Sequence, residues 1–341
     1  MHVRFYQLLI LFIISFSAWA DQLIIEPDMG RKPILDAIAS AQHSVELVMY
    51  GMTDEQILNA LIQQKIHGKT VKVILEQSPY KSESENNKAI RMLTANHIAW
   101  QRSIPPLRLI HQKTLLIDGR EAIVMTFNFT RSTFNKERNF ALIIDDPRLL
   151  QNIDSIFNAD WNHKPVLNSS PDILISPDDS REKLLALISH AGKSIRIYAQ
   201  NISDYKIIGA LAQAARKGVT VQIQTSEKMR VRQADYLARA GVIVHNNNQY
   251  IIHAKVFIID DQQAVIGSIN LTSASLDNNR ELSVVSRDQN VINSLNDTFV
   301  KDWNSVSVGK NTKREKPRYN RQDIKHAVRL LKKFARKYLE V

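Results

Sequence analysis

One polar pattern occurs twice in this chain, and the duplication limits the folds that the chain can adopt. Residues 111–118 read HQKTLLID and residues 253–260 read HAKVFIID, 142 positions apart. In both, a histidine and a lysine two positions apart precede an apolar run and an aspartate. Internal self-similarity indicates that each copy forms one structural unit and that the units pack together. We therefore expect a chain of two similar halves.

Further matches extend the duplication over most of the chain. Residues 25–28 (IEPD) return as residues 175–178 (ISPD), and residues 157–161 (FNADW) return as residues 299–303 (FVKDW). Apolar periodicity predicts the same alternation of elements in both halves. The predicted strands are 23–25, 44–50, 70–75, 173–175, 194–199 and 220–224, and the predicted helices are 33–42, 54–66, 182–191 and 204–217. Strands that alternate with helices predict an α/β fold in which helices cover each sheet.

The N-terminus has the composition of a targeting segment. A short basic start precedes an apolar run over residues 8–16, and residues 18–20 (AWA) have the small-x-small pattern of a signal peptidase site. We interpret residues 1–20 as a signal peptide that is cleaved near Ala20, which predicts a secreted or periplasmic protein. An uncleaved membrane anchor is the alternative.

The C-terminus carries most of the net charge of +11, because twelve Lys or Arg and three acidic residues follow residue 308. Residues 320–339 have apolar side chains at helical spacing with basic side chains between them. Such a helix could associate with an anionic membrane surface or with a nucleic-acid backbone. It could also cap the fold with a solvated basic face.

Composition and repeats together predict the domain boundaries. A linker with three prolines, residues 162–179, joins the two halves. The predicted segments are a signal peptide (1–20), an N-terminal lobe (21–165), a C-terminal lobe (166–308), and a basic linker with an amphipathic helix (309–341).

The repeated histidines and lysines have the chemistry of a phosphodiester site. Alternate residues of a strand point to one face, so His111 and Lys113 point together, as do His253 and Lys255. Two positive charges suit the non-bridging oxygens of a phosphodiester. One imidazole can attack phosphorus while the other donates a proton to the departing oxygen, since histidine titrates near neutral pH. We expect no metal or other cofactor, and the lack of cysteine excludes thiolate chemistry and disulfides.

The other polar residues of the repeated pattern are expected to bind the phosphate or to support the site. Asn128 and Asn270 follow the return strand, where their amides could bind the phosphate beside the two lysines. Asp118 and Asp260 belong to the repeated pattern and are candidate catalytic residues on that ground. Their parity along the strand is opposite to that of the histidines, which predicts a structural role behind the site.

These residues resemble the phospholipase D superfamily, whose mark is H-x-K-x4-D-x6-G-S-x-N present twice. The second half matches the mark without a break through residues 267–270 (GSIN), whereas Met125-Thr126 replaces Gly-Ser in the first half. The resemblance implies two similar α/β lobes, each a mixed β-sheet flanked by helices, with one active site at their interface. It also implies a covalent phosphohistidine intermediate, with His111 as nucleophile and His253 as general acid.

The same resemblance suggests residues that support the imidazoles. Members of the superfamily hold each catalytic histidine with a downstream carboxylate, and Glu281 fits that description in the second half. The equivalent position of the first half is Asn139, with Glu137 two positions earlier. The hydroxyls of Thr126 and Ser268 complete the supporting set.

The leading functional prediction is an exported, metal-independent phosphodiesterase of the phospholipase D type that hydrolyses or transfers phospholipid head groups. A secreted nuclease that acts on DNA or RNA is the first alternative, although residues 21–308 carry a charge of only about +1. A catalytically silent anion-binding module is the second. Because one chain already contains both halves, we expect a monomer.

Overall fold

The structure is a computed structural model that describes residues 21–103, 105–167, 170–227 and 229–305. The predicted signal peptide (1–20) and the predicted basic tail (309–341, with its helix over 320–339) lie outside the described residues. Within the described ranges, no helix is both long and apolar enough to cross a lipid bilayer.

Both halves alternate strands with helices. The first half contains β1 (Gln22–Glu26), α1 (Lys32–Ala39), β2 (Ser44–Met49), α2 (Glu55–Ile66), β3 (Thr70–Leu75), α3 (Asn87–Ala95), β4 (Ala99–Gln101), β5 (Thr114–Ile117), β6 (Glu121–Met125), β7 (Glu137–Ile144) and α4 (Pro147–Trp161). The second half contains β8 (Ile173–Ser176), α5 (Ser180–His190), β9 (Ser194–Ala199), α6 (Tyr205–Arg216), β10 (Thr220–Thr225), α7 (Val231–Arg239), β11 (Ile243–Asn246), β12 (Ile251–Ile252), β13 (Lys255–Ile259), β14 (Gln263–Gly267), α8 (Ser273–Asp277), β15 (Glu281–Ser286) and α9 (Gln289–Ser305).

Each half forms one mixed sheet with the same strand order. The first sheet runs β1-β7-β6-β5-β2-β3-β4, and the second runs β8-β15-β14-β13-β9-β10-β11. In each sheet the last three strands of this order, β2-β3-β4 and β9-β10-β11, run parallel to one another. The first two strands, β1-β7 and β8-β15, run antiparallel. The prediction of two similar α/β lobes, each a mixed sheet flanked by helices, is confirmed.

Local sequence explains why equivalent helices begin where they do. The side chain of Asp54 accepts hydrogen bonds from backbone N–H groups two and three residues further on, at 3.2 and 3.3 Å, and so caps α2. Asp204 caps α6 in the same way, at 3.1 Å to both groups. An aspartate at this position satisfies N–H groups that the first turn of a helix leaves free.

The predicted linker is shorter in the structure than in the sequence interpretation. Residues 173–176 of the predicted 162–179 linker form the buried strand β8, which pairs antiparallel with β15. Apolar periodicity predicts a strand over 173–175, which β8 matches, whereas proline content extends the linker across it; β8 is an edge strand without proline, and Pro177 follows it directly. Proline is compatible with the end of an edge strand, so composition alone did not locate the boundary.

An apolar cluster lies between the two sheets and holds the halves together. Phe140 of the first half packs against Tyr198 of the second, with ring centroids 5.1 Å apart, and Tyr198 packs against Phe299 at the same separation. Phe157 of α4 joins the cluster. Aromatic side chains bury large apolar areas, so this contact fixes the arrangement of the two halves.

The halves also exchange short strand contacts close to the repeated histidines. Strand β12 of the second half pairs in parallel with the start of β7, so that Ile252 lies opposite Arg138. In the first half, Ile110 forms the equivalent bridge with Arg280. Each histidine therefore follows directly on a strand segment that is bonded to the other half.

Two buried arginines reinforce this exchange. Arg138 of the first half donates to Asp302 of α9, from Nε at 2.7 Å and from Nη2 at 3.0 Å. Arg280 of the second half contacts Asp160 of α4 through Nη2 at 3.1 Å. Each arginine thus pairs with a carboxylate from the last helix of the other half, which links the two repeats in both directions.

Candidate active site

The repeated histidines lie at the junction of the two halves. The backbone N–H of His111 donates to the carbonyl of Arg280 at 2.9 Å, and that of His253 donates to the carbonyl of Arg138 at 3.3 Å. Both imidazole side chains are 12% exposed. Strand exchange therefore places each imidazole next to the segment that leads into β15 or β7 of the opposite half.

A carboxylate of the second half holds the imidazole of the first. Nδ1 of His111 lies 2.8 Å from Oε2 of Glu281, whose side chain is fully buried. The other carboxylate oxygen of Glu281 accepts a hydrogen bond from Ser275 Oγ at 2.5 Å. Burial alone would raise the pKa of Glu281, but His111 and Lys113 lower it, so the carboxylate stays ionised.

An amide of the first half holds the imidazole of the second. Nδ1 of His253 lies 3.1 Å from Oδ1 of Asn139. The same oxygen accepts from Thr126 Oγ1 at 2.8 Å, and Nδ2 of Asn139 donates to Glu137 Oε2 at 3.0 Å. Glu137 thus lies behind the amide, with Oε2 3.8 Å from the imidazole Nδ1.

The two lysines are buried beside the imidazoles. Lys113 Nζ donates to the carbonyl of His111 at 2.6 Å and lies 5.2 Å from the ring centre of Tyr50. Lys255 Nζ donates to the carbonyl of Thr126, in the opposite half, at 3.1 Å, and it lies 3.3 Å from Nδ1 of His253. Both ammonium groups therefore have their positions fixed by backbone carbonyls.

These side chains shift one another's pKa values. Burial and the charge of Lys113 lower the pKa of His111 to about 4, although Glu281 opposes the shift. Burial lowers the pKa of Lys113 to about 7. Burial, then Lys255, Lys113 and His111, lower the pKa of His253 well below its ordinary value. An anion placed among these groups would favour their charged forms, so the site is suited to an anionic ligand.

The altered Gly-Ser position of the first half keeps the local backbone arrangement. Thr126 Oγ1 accepts from the N–H of Phe140 at 3.0 Å, as Ser268 Oγ accepts from the N–H of Leu282 at 3.1 Å. The side chain of Met125 is fully buried in the core of the first half. The methionine side chain that replaces the glycine of the pattern therefore packs into the core.

The structure does not bring the repeated aspartates to the imidazoles. The carboxylate of Asp118 accepts from the backbone N–H groups of residues 42–44 at 2.7 to 2.8 Å, at the far end of β5. Asp260 accepts from those of residues 192–194 at 2.7 to 2.9 Å. These contacts correct their assignment as catalytic residues: each aspartate joins a strand turn to the start of a neighbouring strand.

The repeated asparagines lie at the ends of the return strands. Asn128 Oδ1 accepts from the N–H of Gly51 at 3.3 Å. The N–H of Asn270 donates to Ser275 Oγ at 2.9 Å, and Ser275 in turn contacts Glu281. Within the described part of the chain, Oδ1 of Asn270 is buried without a hydrogen-bond partner. Phosphate binding by these amides stays a prediction.

Sequence reasoning missed two residues beside the His111–Glu281 pair. The ring of Tyr50 packs edge-on against the imidazole, with centroids 4.6 Å apart, and Ser275 holds Glu281. Tyr50 directly follows β2, the strand that pairs with β5, so its position at the strand end could have indicated it. Ser275 has no comparable signal, because it lies in the short helix α8 and meets Glu281 only through the folding of the chain after that helix.

No group of three or more potential metal ligands of the His, Asp and Glu type occurs among residues 21–103, 105–167, 170–227 and 229–305. The candidate site contains imidazoles, ammonium groups and their hydrogen-bond partners.

Known proteins resemble this chain over most of its length. Cardiolipin synthase B of Escherichia coli O6:H1 (strain CFT073) is 25% identical over 327 residues, which covers 82% of this chain and 79% of the relative. Cardiolipin synthase 2 of Bacillus anthracis is 25% identical over 353 residues, covering 89% and 68%. The crystal structure of phosphatidylserine synthase from Haemophilus influenzae Rd KW20 matches with a TM-score of 0.64 and 14% identity, over 93% of both chains. At that identity the structural match concerns the fold alone.

These relatives contradict the predicted location. We expected a secreted or periplasmic protein released near Ala20, whereas the curated relatives are synthases of cardiolipin, a phospholipid of membranes. The prediction of a free exported protein was therefore wrong. It depended on a short basic start, an apolar run and a small-x-small tripeptide, a weak pattern that N-terminal segments with other roles also contain.

A family model described as cardiolipin synthase, PLD-like domain, matches the chain twice, over residues 34–161 and 184–303. The two matches cover more than half of the chain, and each contains one copy of the His-x-Lys pattern. They confirm the resemblance to the phospholipase D superfamily and the enzyme class predicted from it, a phosphodiesterase of the phospholipase D type. The chain belongs to the family of PLD-like domains that is named for cardiolipin synthase.

Proposed function

We propose that this protein transfers the phosphatidyl group of a phospholipid to an alcohol, or to water, through a covalent phosphohistidine. The observation that carries the proposal is the pair of imidazoles at the junction of the halves, each held through Nδ1 by a side chain of the opposite half and each beside a buried lysine. The names of the curated relatives indicate a phospholipid as substrate and transfer as the outcome.

In the first step, Nε2 of one imidazole attacks phosphorus and the bond from phosphorus to the head-group oxygen breaks. The other imidazole, protonated at Nε2, gives that proton to the departing oxygen, and the head-group alcohol leaves. Superfamily resemblance assigns the attack to His111 and the proton transfer to His253.

In the second step, the acceptor alcohol or water attacks the same phosphorus. Its proton passes to Nε2 of the imidazole that acted as acid, and the nitrogen–phosphorus bond breaks. The enzyme returns to its starting protonation state, so the two steps balance. Holding both imidazoles in place lowers the entropic part of each barrier.

Lys113 and Lys255 neutralise the phosphate charge in this scheme. In the free enzyme both have lowered pKa values, mainly because of burial. A phosphodiester anion favours their protonated forms and also favours a protonated general acid. Substrate binding therefore takes up protons and completes the charge distribution that the first step needs.

The proposal is tested with the purified full chain in EDTA, supplied with phosphatidylglycerol vesicles and separately with plasmid DNA. We expect glycerol release and a new phospholipid product, and we expect both to disappear in His111→Ala and His253→Ala. Nicked plasmid without lipid turnover would favour the nuclease alternative. Tight vesicle binding without turnover would favour the silent anion-binding module.

A further inference from the structure

The two halves place different side chains at the position that holds the imidazole. Glu281 and Asn139 are 142 residues apart and occupy equivalent places at the start of β15 and β7. Glu281 contacts His111 at 2.8 Å, and Asn139 contacts His253 at 3.1 Å. One imidazole thus has a negative partner and the other a neutral one.

The amide of Asn139 is held in one orientation. Its Nδ2 can only donate, and it donates to Glu137 Oε2 at 3.0 Å. Its Oδ1 can only accept, and it accepts from Thr126 Oγ1 at 2.8 Å as well as from His253. The amide oxygen at 3.1 Å, nearer than Lys255 Nζ at 3.3 Å, favours a proton on Nδ1 of His253, which leaves Nε2 as the atom that gains and loses a proton.

Two different charge changes occur during phosphoryl transfer. The attacking imidazole gains a positive charge when its Nε2 bonds to phosphorus, because Nδ1 keeps its proton. The acid imidazole loses its positive charge when it protonates the leaving oxygen. A fixed charge catalyses best where the opposite charge develops, so a carboxylate belongs beside the nucleophile and a neutral acceptor beside the acid.

The charged surroundings fit this division. His111 faces Glu281, Lys113 and Lys255. His253 faces Lys255, Lys113 and His111, with Glu137 behind the amide at 3.8 Å. The same two lysines neighbour both imidazoles, so the difference lies in the direct partner: His253 contacts an amide where His111 contacts a carboxylate, which makes the imidazolium of His253 the stronger acid once substrate has bound.

We propose that Asn139 is a positioning residue that holds His253 as the proton donor, whereas Glu281 stabilises the positive charge that develops on His111. The assignment rests on the proposed phosphohistidine route. It predicts that replacing Asn139 slows the reaction only for leaving groups that need a proton. Replacing Glu281 should slow the reaction for every leaving group.

The experiment compares kcat/KM for two substrates that share the phosphatidyl group, phosphatidylglycerol and phosphatidyl-p-nitrophenol. Glycerol leaves only with a proton, whereas p-nitrophenolate leaves without one. Asn139→Ala should lower kcat/KM on phosphatidylglycerol at least about tenfold more than on the p-nitrophenyl ester. The matched variant Glu281→Gln should lower both by a similar factor, on the order of 10².

Equal losses on both substrates in Asn139→Ala would overturn the inference, as would a selective loss in Glu281→Gln. A wild-type protein that releases neither product would instead overturn the proposed function itself. Asn139→Asp offers a second measurement with a side chain of the same shape. The new carboxylate should raise the pKa of His253, so activity on phosphatidylglycerol should persist to higher pH. If the alkaline side of the pH profile of activity does not move, the positioning role of Asn139 is contradicted.

Discussion

The two halves of this protein are alike where they build the fold and different where they meet the imidazoles. Asp54 and Asp204 cap equivalent helices, and Asp118 and Asp260 make equivalent contacts to three backbone N–H groups. Yet one imidazole is held by a carboxylate and the other by an amide. The two copies thus share the framework and differ in the side chain that holds each imidazole.

The buried arginines show a second difference between the halves. The guanidinium of Arg138 lies 4.1 Å from the ring centre of Tyr250 and binds Asp302 with two hydrogen bonds. Its counterpart Arg280 lines a cavity of about 380 Å³, and the residue equivalent to Tyr250 is Arg108. The interface is therefore closed around one arginine and open beside the other.

The largest expected effect tests whether the halves share one site. His111→Ala and His253→Ala should each reduce kcat on phosphatidylglycerol by at least about 10³-fold, because catalytic groups that act together fail together. The double variant should be hardly worse than either single variant. A single variant that retains half of the activity would mean two independent sites.

The next effect tests the difference between the arginines. Arg138→Met should lower the free energy of unfolding by about 3–5 kcal/mol, because it leaves the buried carboxylate of Asp302 without its cationic partner and, in the described part of the chain, with only the hydroxyl of Tyr198 among its present side-chain donors. Arg280→Met should cost less, about 2 kcal/mol, because water in the cavity can solvate Asp160. Urea unfolding followed by circular dichroism measures both, and equal losses would contradict the distinction between closed and open sides.

A smaller effect tests the Gly-Ser position. A Cβ on Gly267 would lie 2.3 Å from the carbonyl oxygen of Leu282, so Gly267→Ala should destabilise the protein by about 1–3 kcal/mol through displacement of β15. Gly209 has open space at its Cβ and serves as the control. A Gly267→Ala variant as stable as Gly209→Ala would show that β15 can move freely.

The smallest effect concerns acid stability. Burial would raise the pKa of Asp118, but backbone N–H donors and Arg120 lower it below its ordinary value of 3.8. The resulting stabilisation is present above that value and is lost as pH falls through the folded-state pKa. Asp118→Asn should therefore weaken the fall in unfolding free energy between about pH 5 and pH 3. The exposed Asp235→Asn variant should leave that fall unchanged.

The sequence contained enough information for the fold class and for the polar pattern, because both are written twice at fixed offsets. It did not reveal that Glu281 of the second half would hold His111 of the first, 170 positions away. That contact depends on the strand exchange at Ile110 and Ile252, which is a tertiary event without local periodicity. Met125 shows the same limit. Only the packing of the folded protein reveals that this side chain, which replaces the glycine of the superfamily pattern, points into the core.

The central claim is that imidazoles from both halves act on one phosphorus atom. Mass spectrometry of the His253→Ala variant, quenched during reaction with phosphatidyl-p-nitrophenol, tests it most directly. We predict one phosphatidyl adduct per chain, on His111, and none in His111→Ala. An adduct on His253 in the His111→Ala variant would contradict a single site with divided roles.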